Sequence, residues 1–483
     1  MYFVVPLFPD RFGAMAKRPN ILLITTDTQR FDTINAMGYP HAKSPHLDRL
    51  AREGVVFTQG HTCSPVCCPA RTSLMRGVIE NGLSEASTHQ PMMTDPLRDA
   101  GYVCVMSGKT HFGAIPDSFE INYAIGGSKH GDSDDLYKAH LDALGFERDQ
   151  GFPHEVPPND FYDGFVTTMA IRGMEEAIEQ YPDRPFFAFC SMTSPHGPMD
   201  PPKPWDTHYA LDELPPQPLN PTTENEPQHT QRLLGLEIRQ KPMAEIDEKR
   251  RLYYGLASYC DDQVGRILSF LDERGLREDT LVIFTSDHGI DLYDHGFDNK
   301  HHYYDNTWRI PFIVSQPGTI EPGERAFANW TDLTATILAT AGVEAPWVQG
   351  LDLYGPLVAG DDSPRKCAVA TLYRSCALAT SRWKLEYYFD DGSCRLFDRL
   401  NDPGEYTNLS ESADHAEVKQ AMTAALLEWR GSLLDVAHLQ SQPPGGGPVA
   451  RRLKTQYGEL RGSDSEARVS ERAVTIDDTF ASL

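Results

Sequence analysis

No run of about twenty apolar residues occurs in the chain, so no membrane-spanning helix is expected and a membrane is excluded as a partner. Positive charge is scarce as well: 44 Lys and Arg stand against 69 Asp and Glu, a formal net charge of −25. Nonspecific nucleic-acid binding needs a basic surface to displace counterions, so nucleic acid is excluded too. An anionic substrate must therefore be held by a local positive pocket against a repelling field. No Cys-x-x-Cys pair exists, which removes the common zinc and redox spacings. The nine cysteines are an odd count without framework spacing, and a chain of 483 residues does not need disulfide staples. Most of them read as small buried apolar side chains. Internal repeats are absent. The apolar start "MYFVVPLF" has no basic residue before it and no small-residue cleavage site after it. It does not read as a signal peptide, so the chain reads as cytoplasmic, with the periplasm second.

What is present is an alternation of strand and helix signals. "NILLITTD" at 20–27 is a continuous β-rich apolar run ending in a carboxylate, and "TLVIFTSDHG" at 280–289 repeats the pattern. "PFFAFCSMTSPHGP" at 185–198 has the same run but ends in a histidine. Such runs suit strands buried on both faces of a parallel sheet. Between them, 253–275 carries apolar residues at helical spacing and stops at Gly275. The expected fold is α/β: a doubly wound, mostly parallel sheet sandwiched by helices. Chemistry in such sheets gathers at the carboxyl ends of the strands, where Asp27, His196, Asp287 and His288 would meet. The stretches 114–164 and 198–245, rich in Pro, Asp, Gly and His, read as loops over that edge. "CALATSRWKLEYYF" and "CRLFDRL" read as antiparallel strands around "DDGS", followed by a helix at 416–434. The expected units are a catalytic domain at 16–358, an α+β antiparallel-sheet subdomain at 359–440, and a linker and polar tail at 441–483. The tail is a candidate contact for a homo-oligomer.

One short stretch is denser in chemistry than the rest. "CSPVCCPARTSLMRG" at 63–77 places three cysteines within six residues, then a proline and an arginine. Cys67-x-Pro69-x-Arg71, followed by "TSLMRG", resembles the signature of the type I sulfatases of the alkaline phosphatase superfamily. The five-residue core is weakly specific, but four further blocks stand in the family's order: "PNILLITTD", "GYVCVMSGKTHFG" at 101–113, "SPHGP", and "FTSDHG" with Lys300, Tyr304, Arg309 and Pro311. In the second block Cys104 replaces the usual Thr. The resemblance covers roughly 18–430. It implies an alkaline-phosphatase-like fold and a Cys67 oxidised to formylglycine by a formylglycine-generating enzyme. It also implies a divalent cation held by Asp27, Thr28, Asp287, His288 and the converted Cys67. That cation is Ca²⁺ by resemblance, and the nitrogen ligand leaves Mn²⁺ and Mg²⁺ open.

The chemistry accounts for these residue types. A sulfate ester is a stable anion at a crowded sulfur, so its oxygens must be neutralised and a strong nucleophile supplied. By resemblance, one hydroxyl of the hydrated aldehyde attacks sulfur and the second later expels sulfate. Lys109 and Lys300 would hold the sulfate oxygens, and His196 would protonate the leaving alcohol. His111 would assist the base step, and Arg71 would hold the hydrate. The implied substrate is a saccharide or small-molecule sulfate ester. Thr28 stands where the family often has Asp or Gln, with Gln29 next, so either side chain is open as the ligand. Cys63 and Cys68 read as structural, a disulfide to Cys67 being the alternative. His295, His301 and His302 read as neighbours of Lys300 rather than as a metal cluster. Two other functions compete. A phosphonate monoester or phosphodiester hydrolase would share the nucleophile and metal, but by resemblance that group carries Tyr and Thr at the positions of Lys109 and His111. A non-catalytic binder of sulfated ligands would have no need of Asp27, Asp287, His288 and both lysines together.

Overall fold

The computed structural model describes residues 18–79, 91–126, 135–148, 152, 155–216 and 241–440. The N-terminal "MYFVVPLF" and the expected linker and tail at 441–483 lie outside them. An eight-stranded sheet is built from β1 (Asn20–Asp27), β2 (Val55–His61), β3 (Val103–Lys109), β4 (Ile121–Ile125), β5 (Phe186–Pro195), β6 (Thr280–Ser286), β7 (Phe312–Ser315) and β8 (Gly323–Asn329). Their spatial order is β4-β3-β5-β1-β6-β7-β2-β8. Every pairing is parallel except those of β7, which runs antiparallel to both β6 and β2.

The central strand is buried throughout because both of its faces are covered. Ile21 and Leu23 of β1, with Leu281 and Ile283 of β6, enter one core with Leu74, Ile337 and Leu338. Leu22 and Ile24, with Val282 and Phe284, enter the opposite core with Tyr259, Val264 and Ile267. The period-2 alternation thus feeds two helical layers. One layer contains α2 (Cys67–Arg76) and α8 (Asp332–Thr340), and the other contains α5 (Tyr162–Gln180) and α6 (Met243–Glu273). The shorter helices are α1 (Pro45–Arg52), α3 (Thr94–Asp99), α4 (Leu136–Leu144), α7 (Asp305–Trp308) and α9 (Tyr354–Ala359). Each of these fully buried aliphatic side chains contributes about 1.5–3 kcal/mol relative to exposure.

The second unit is a four-stranded antiparallel sheet in the order β12-β11-β10-β9, from Ala368–Leu372 (β9), Ser375–Ala379 (β10), Trp383–Tyr388 (β11) and Cys394–Asp398 (β12). Cys376 and Leu378 pack on Met422, Leu426 and Trp429 of α10 (Ala416–Gln440). The alternate residues Ala377 and Ala379 face Tyr303 and Trp308 of the larger unit. Alanine there lets the sheet approach two bulky rings closely. Buried ion pairs reinforce this contact: Lys384 and Arg399 reach Asp305 at 3.0 and 2.9 Å, and Lys384 also pairs with Glu405.

Two expectations need correction. The stretch 114–164 is not all loop: it holds edge strand β4, helix α4 and the start of α5. Within 198–245, α6 begins at Met243, ten residues before the apolar stripe, and two short 3₁₀ turns occupy Trp205–Thr207 and Leu211–Glu213. Residues 217–240 of that stretch lie outside the described residues. Among the described residues no helix is long and apolar enough to cross a membrane.

Candidate active site

The parallel strands β1, β3, β5 and β6 deliver their carboxyl ends to one edge of the sheet. Asp27 ends β1, Lys109 ends β3, His196 follows β5, and Asp287-His288 follows β6. Cys67 is the first residue of α2, its cap being Val66. Arg71 lies four residues on and therefore on the same helix face. Two glycines make the close approaches that the motifs need. A Cβ on Gly108, at φ +92, would stand 2.1 Å from the Ser191 carbonyl oxygen, and one on Gly289 would stand 2.0 Å from that of Asn306.

At the centre lie Asp27, Asp287 and His288, all fully buried. One donor atom from each falls within 4.8 Å of the others. Both carboxylate oxygens of Asp27 are buried. Cations stand around them: Lys109 Nζ is 2.5 Å from Asp27 Oδ2, and an Arg71 guanidinium nitrogen is 3.6 Å from it. Burial works to raise the Asp27 pKa, but Lys109, His196, Lys300 and Arg71 outweigh it and hold this carboxyl well below its usual range. Arg71 bridges the site, donating from Nε to Asp287 Oδ2 at 2.7 Å and from Nη1 to Ser191 Oγ at 2.7 Å. His288 Nδ1 lies 2.8 Å from the Gly289 carbonyl, which can only accept. Nδ1 therefore carries the proton, and Nε2 turns a lone pair toward Asp27 at 3.8 Å and Asp287 at 3.7 Å. Lys300 Nζ donates to that nitrogen at 3.2 Å and contacts Cys67 Sγ at 3.7 Å. Burial opposes the Lys300 charge, yet Asp27, Cys67 and Asp287 raise its pKa. Two buried carboxylates beside an imidazole lone pair are a donor set that suits a hard divalent cation.

The chain after β1 turns sharply. Thr28 sits at φ 64 and donates its backbone N–H to Asp287 Oδ1 at 3.2 Å. Tyr253 of α6 clamps this turn, donating its hydroxyl to the Thr28 carbonyl and accepting from the Arg30 N–H, both at 2.8 Å. The Thr28 hydroxyl bonds the Asp27 carbonyl at 2.5 Å. The Gln29 amide nitrogen donates to Thr33, while its Oε1 is buried without a hydrogen-bond partner.

Cys67, Cys68 and His111 form a second cluster within 4.8 Å. The Cys67 thiol is strongly acidified by the Cys68 thiol, against burial, with His111 and His288 adding to the effect. Cys67 also sits at a helix N-terminus, which favours negative charge. All nine cysteines are thiols, so no disulfide to Cys67 forms. Cys63 is buried as expected, but Cys68 is exposed beside the nucleophile position rather than part of the core. His196 Nδ1 lies 2.7 Å from the Gly197 carbonyl oxygen, and burial, ahead of Lys109 and Lys300, holds its pKa below the usual histidine value. His295, His301 and His302 do not form a cluster: His295 bonds Asp291 and stacks on Tyr304, His302 bonds Thr307, and His301 bonds Tyr373. Ser191 and Tyr253 carry no motif signal, because each lies inside an ordinary buried strand or helix.

Known proteins resemble this chain over most of its length. The sulfatase family model matches residues 19–343, and the N-sulphoglucosamine sulphohydrolase C-terminal model matches residues 293–432. A choline-sulfatase of Rhizobium meliloti is 28% identical, with 87% of each chain covered. A phosphonate monoester hydrolase from Silicibacter pomeroyi superposes with a TM-score of 0.73 at 23% identity, covering 85% of this chain and 95% of its own. A structure solved with its substrate D-glucosamine-2-N,6-O-disulfate superposes with a TM-score of 0.71 at 21% identity, covering 87% of this chain and 99% of its own. The eight-stranded sheet, the smaller antiparallel sheet and the matched length agree: the chain belongs to the sulfatase family of the alkaline phosphatase superfamily and is a sulfuric ester hydrolase.

Proposed function

We propose that the chain hydrolyses a sulfate monoester of a saccharide or small alcohol, with Cys67 converted to formylglycine and one divalent cation, Ca²⁺ before Mn²⁺ or Mg²⁺. The observation that carries this reading is the cluster of fully buried Asp27, Asp287 and the His288 lone pair, ringed by Lys109, Arg71 and Lys300, with Cys67 alongside. Asp27, Asp287 and His288 would hold the cation, with Thr28 on the adjoining turn and the Cys67 position completing the set. The cation and the converted Cys67 would together supply charge neutralisation and an activated oxygen nucleophile.

The chain's own residues account for the rest. Lys109 and Lys300 flank the centre as fixed positive charges that suit three sulfate oxygens. They also supply the local positive pocket that an acidic chain needs. His196 follows the end of β5 with its Nδ1 on the Gly197 carbonyl, and a proton on Nε2 would go to the leaving alcohol. A bound anionic ester would raise its depressed pKa and so load that proton. His111, beside the Cys67 and Cys68 thiols, would take the proton in the second half of the reaction. Arg71 locks Asp287 and orients the Cys67 face of α2. The proposed units are a catalytic domain at 16–358 and a subdomain at 359–440.

The test has two parts. Protein made with a formylglycine-generating enzyme should give a Cys67 peptide about 18 Da lighter than its thiol form, whereas simple thiol oxidation adds mass. The same protein should turn over an aryl sulfate with higher kcat/KM than an aryl phosphonate or phosphodiester of equal leaving group. Full activity with an unmodified thiol would remove the formylglycine assignment. A phosphonate preference would hand the site to the phosphonate hydrolase reading.

A further inference from the structure

The small C-terminal sheet reaches the active site at one point. Leu372 of β9 pairs with Ser375 of β10, so the connecting turn consists of Tyr373 and Arg374 alone. The Thr371 N–H donates to the Cys63 carbonyl at 2.9 Å, which ties this hairpin to the loop preceding Cys67. Tyr373 is 58% exposed, although Lys300, Cys67 and Cys68 all act electrostatically on its phenol. The tie to Cys63 thus sets this exposed ring beside the loop that precedes Cys67. Opposite is His301, the residue after the Lys300 ammonium. The two rings stack with centroids 5.9 Å apart and planes 17° apart, and the Tyr373 hydroxyl is hydrogen-bonded to His301 Nδ1 at 2.9 Å. Both backbones are left-handed, at φ 50 for Tyr373 and φ 83 for His301. Glycine or asparagine is the ordinary occupant of such positions, and a tyrosine ring there is strained. Two facing strained aromatic residues at the mouth of a catalytic site indicate that the rings themselves are used.

We propose that Tyr373 and His301 form an aromatic wall that receives the ring of the leaving alcohol, so that the preferred substrate is the sulfate of a cyclic alcohol, saccharide or aryl, rather than of an acyclic one. This rests on the sulfate-ester reading above and deepens it. His301 adjoins Lys300 in the chain and the Tyr373 hairpin is tied to the loop before Cys67, so the wall borders the site and would seat the ring of a bound ester. An acyclic alcohol has no flat face to offer.

The test is equilibrium binding to the full chain carrying Cys67→Ala, which cannot turn over, in Ca²⁺. The probes are 4-nitrophenyl sulfate, glucosamine 6-sulfate and methyl sulfate. Tyr373→Asn removes the ring while tolerating the left-handed backbone. It should weaken both ring-bearing esters roughly three- to tenfold, the range for loss of one aromatic stacking contact, and leave methyl sulfate unchanged. Tyr373→Phe keeps the ring and should retain the ring preference. His301→Asn should reproduce the selective loss from the other side of the wall. Equal weakening of all three probes, no weakening, or no ring preference in the parent would each overturn the inference. If the active enzyme instead prefers phosphonate esters, the sulfate reading fails on its own. The wall is then tested by the same variants with phenyl and methyl esters of one phosphonate, and the same selective loss is expected.

Discussion

Replacing Arg71 by methionine removes a charge from the centre of the site while nearly preserving volume. The side chain is 1% exposed, with Nε 2.7 Å from Asp287 Oδ2 and a second nitrogen 3.6 Å from Asp27 Oδ2. At an effective dielectric of about 20 the gross attractions are about 6 and about 5 kcal/mol. Burying the guanidinium offsets much of this, and loss of one partner of a buried pair typically costs about 3–5 kcal/mol. At about 2 °C per kcal/mol for a large domain, Arg71→Met should melt roughly 6–10 °C lower than the parent in chelator. A divalent cation between Asp27 and Asp287 would supply the missing charge, so added Ca²⁺ should raise the variant's melting temperature more than the parent's. Arg71→Lys keeps the charge but not the fork that joins Asp287 to Ser191, and should fall between the two. The assay is thermal unfolding followed by near-UV circular dichroism, with and without Ca²⁺. A melting temperature within about 1 °C of the parent in chelator would refute the claim that Arg71 compensates the two carboxylates.

Other outcomes follow from the same geometry. Asp27→Ala should abolish divalent-cation binding, read by calorimetry, and lower kcat by several orders of magnitude; retention of stoichiometric Ca²⁺ by the variant would remove Asp27 from the ligand set. His196→Ala should slow alkyl sulfates far more than nitrophenyl sulfate, because general acid help scales with the basicity of the leaving alcohol, and equal losses would end its acid role. Lys300→Ala should lower the sulfate rate by roughly 10²–10³ at fixed leaving group, the range for one lost oxyanion donor. His61, buried beside Trp308, has its pKa lowered to about 3, chiefly by burial. The unfolded chain binds a proton at this residue that the folded chain refuses, so its contribution to stability falls as pH drops from about 6.5 toward 3. His61→Asn should therefore lose less melting temperature than the parent between pH 7.5 and 5, and parallel losses would show that His61 is not the group responsible.

The sequence alone determined the pieces that local periodicity and fixed spacing encode. "NILLITTD" had to be a strand covered on both faces, since its middle six residues are all apolar or strand-forming and none alternates toward water. Asp27, His196 and Asp287-His288 had to close strand ends, because each follows its apolar run at once, whereas the helix that puts Cys67 and Arg71 on one face and the strand that ends at Lys109 came from the structure. Where local signals are weak, the reading failed. "INYAI" is a five-residue edge strand with its middle partly exposed, which gives too short an alternation to separate from a loop. The first ten residues of α6, "MAEIDEKRRL", are good helix formers but mostly charged, and so lack the apolar stripe that marked the rest. Tertiary structure alone decided the strand order, and with it that Arg71 meets Asp287 across 216 positions and Ser191 across 120. It also decided that a turn of the C-terminal sheet carries Tyr373 to His301, 72 positions away. Contacts between distant segments depend on which strands become neighbours. That choice minimises exposed apolar area over the whole chain, so no window of residues contains it.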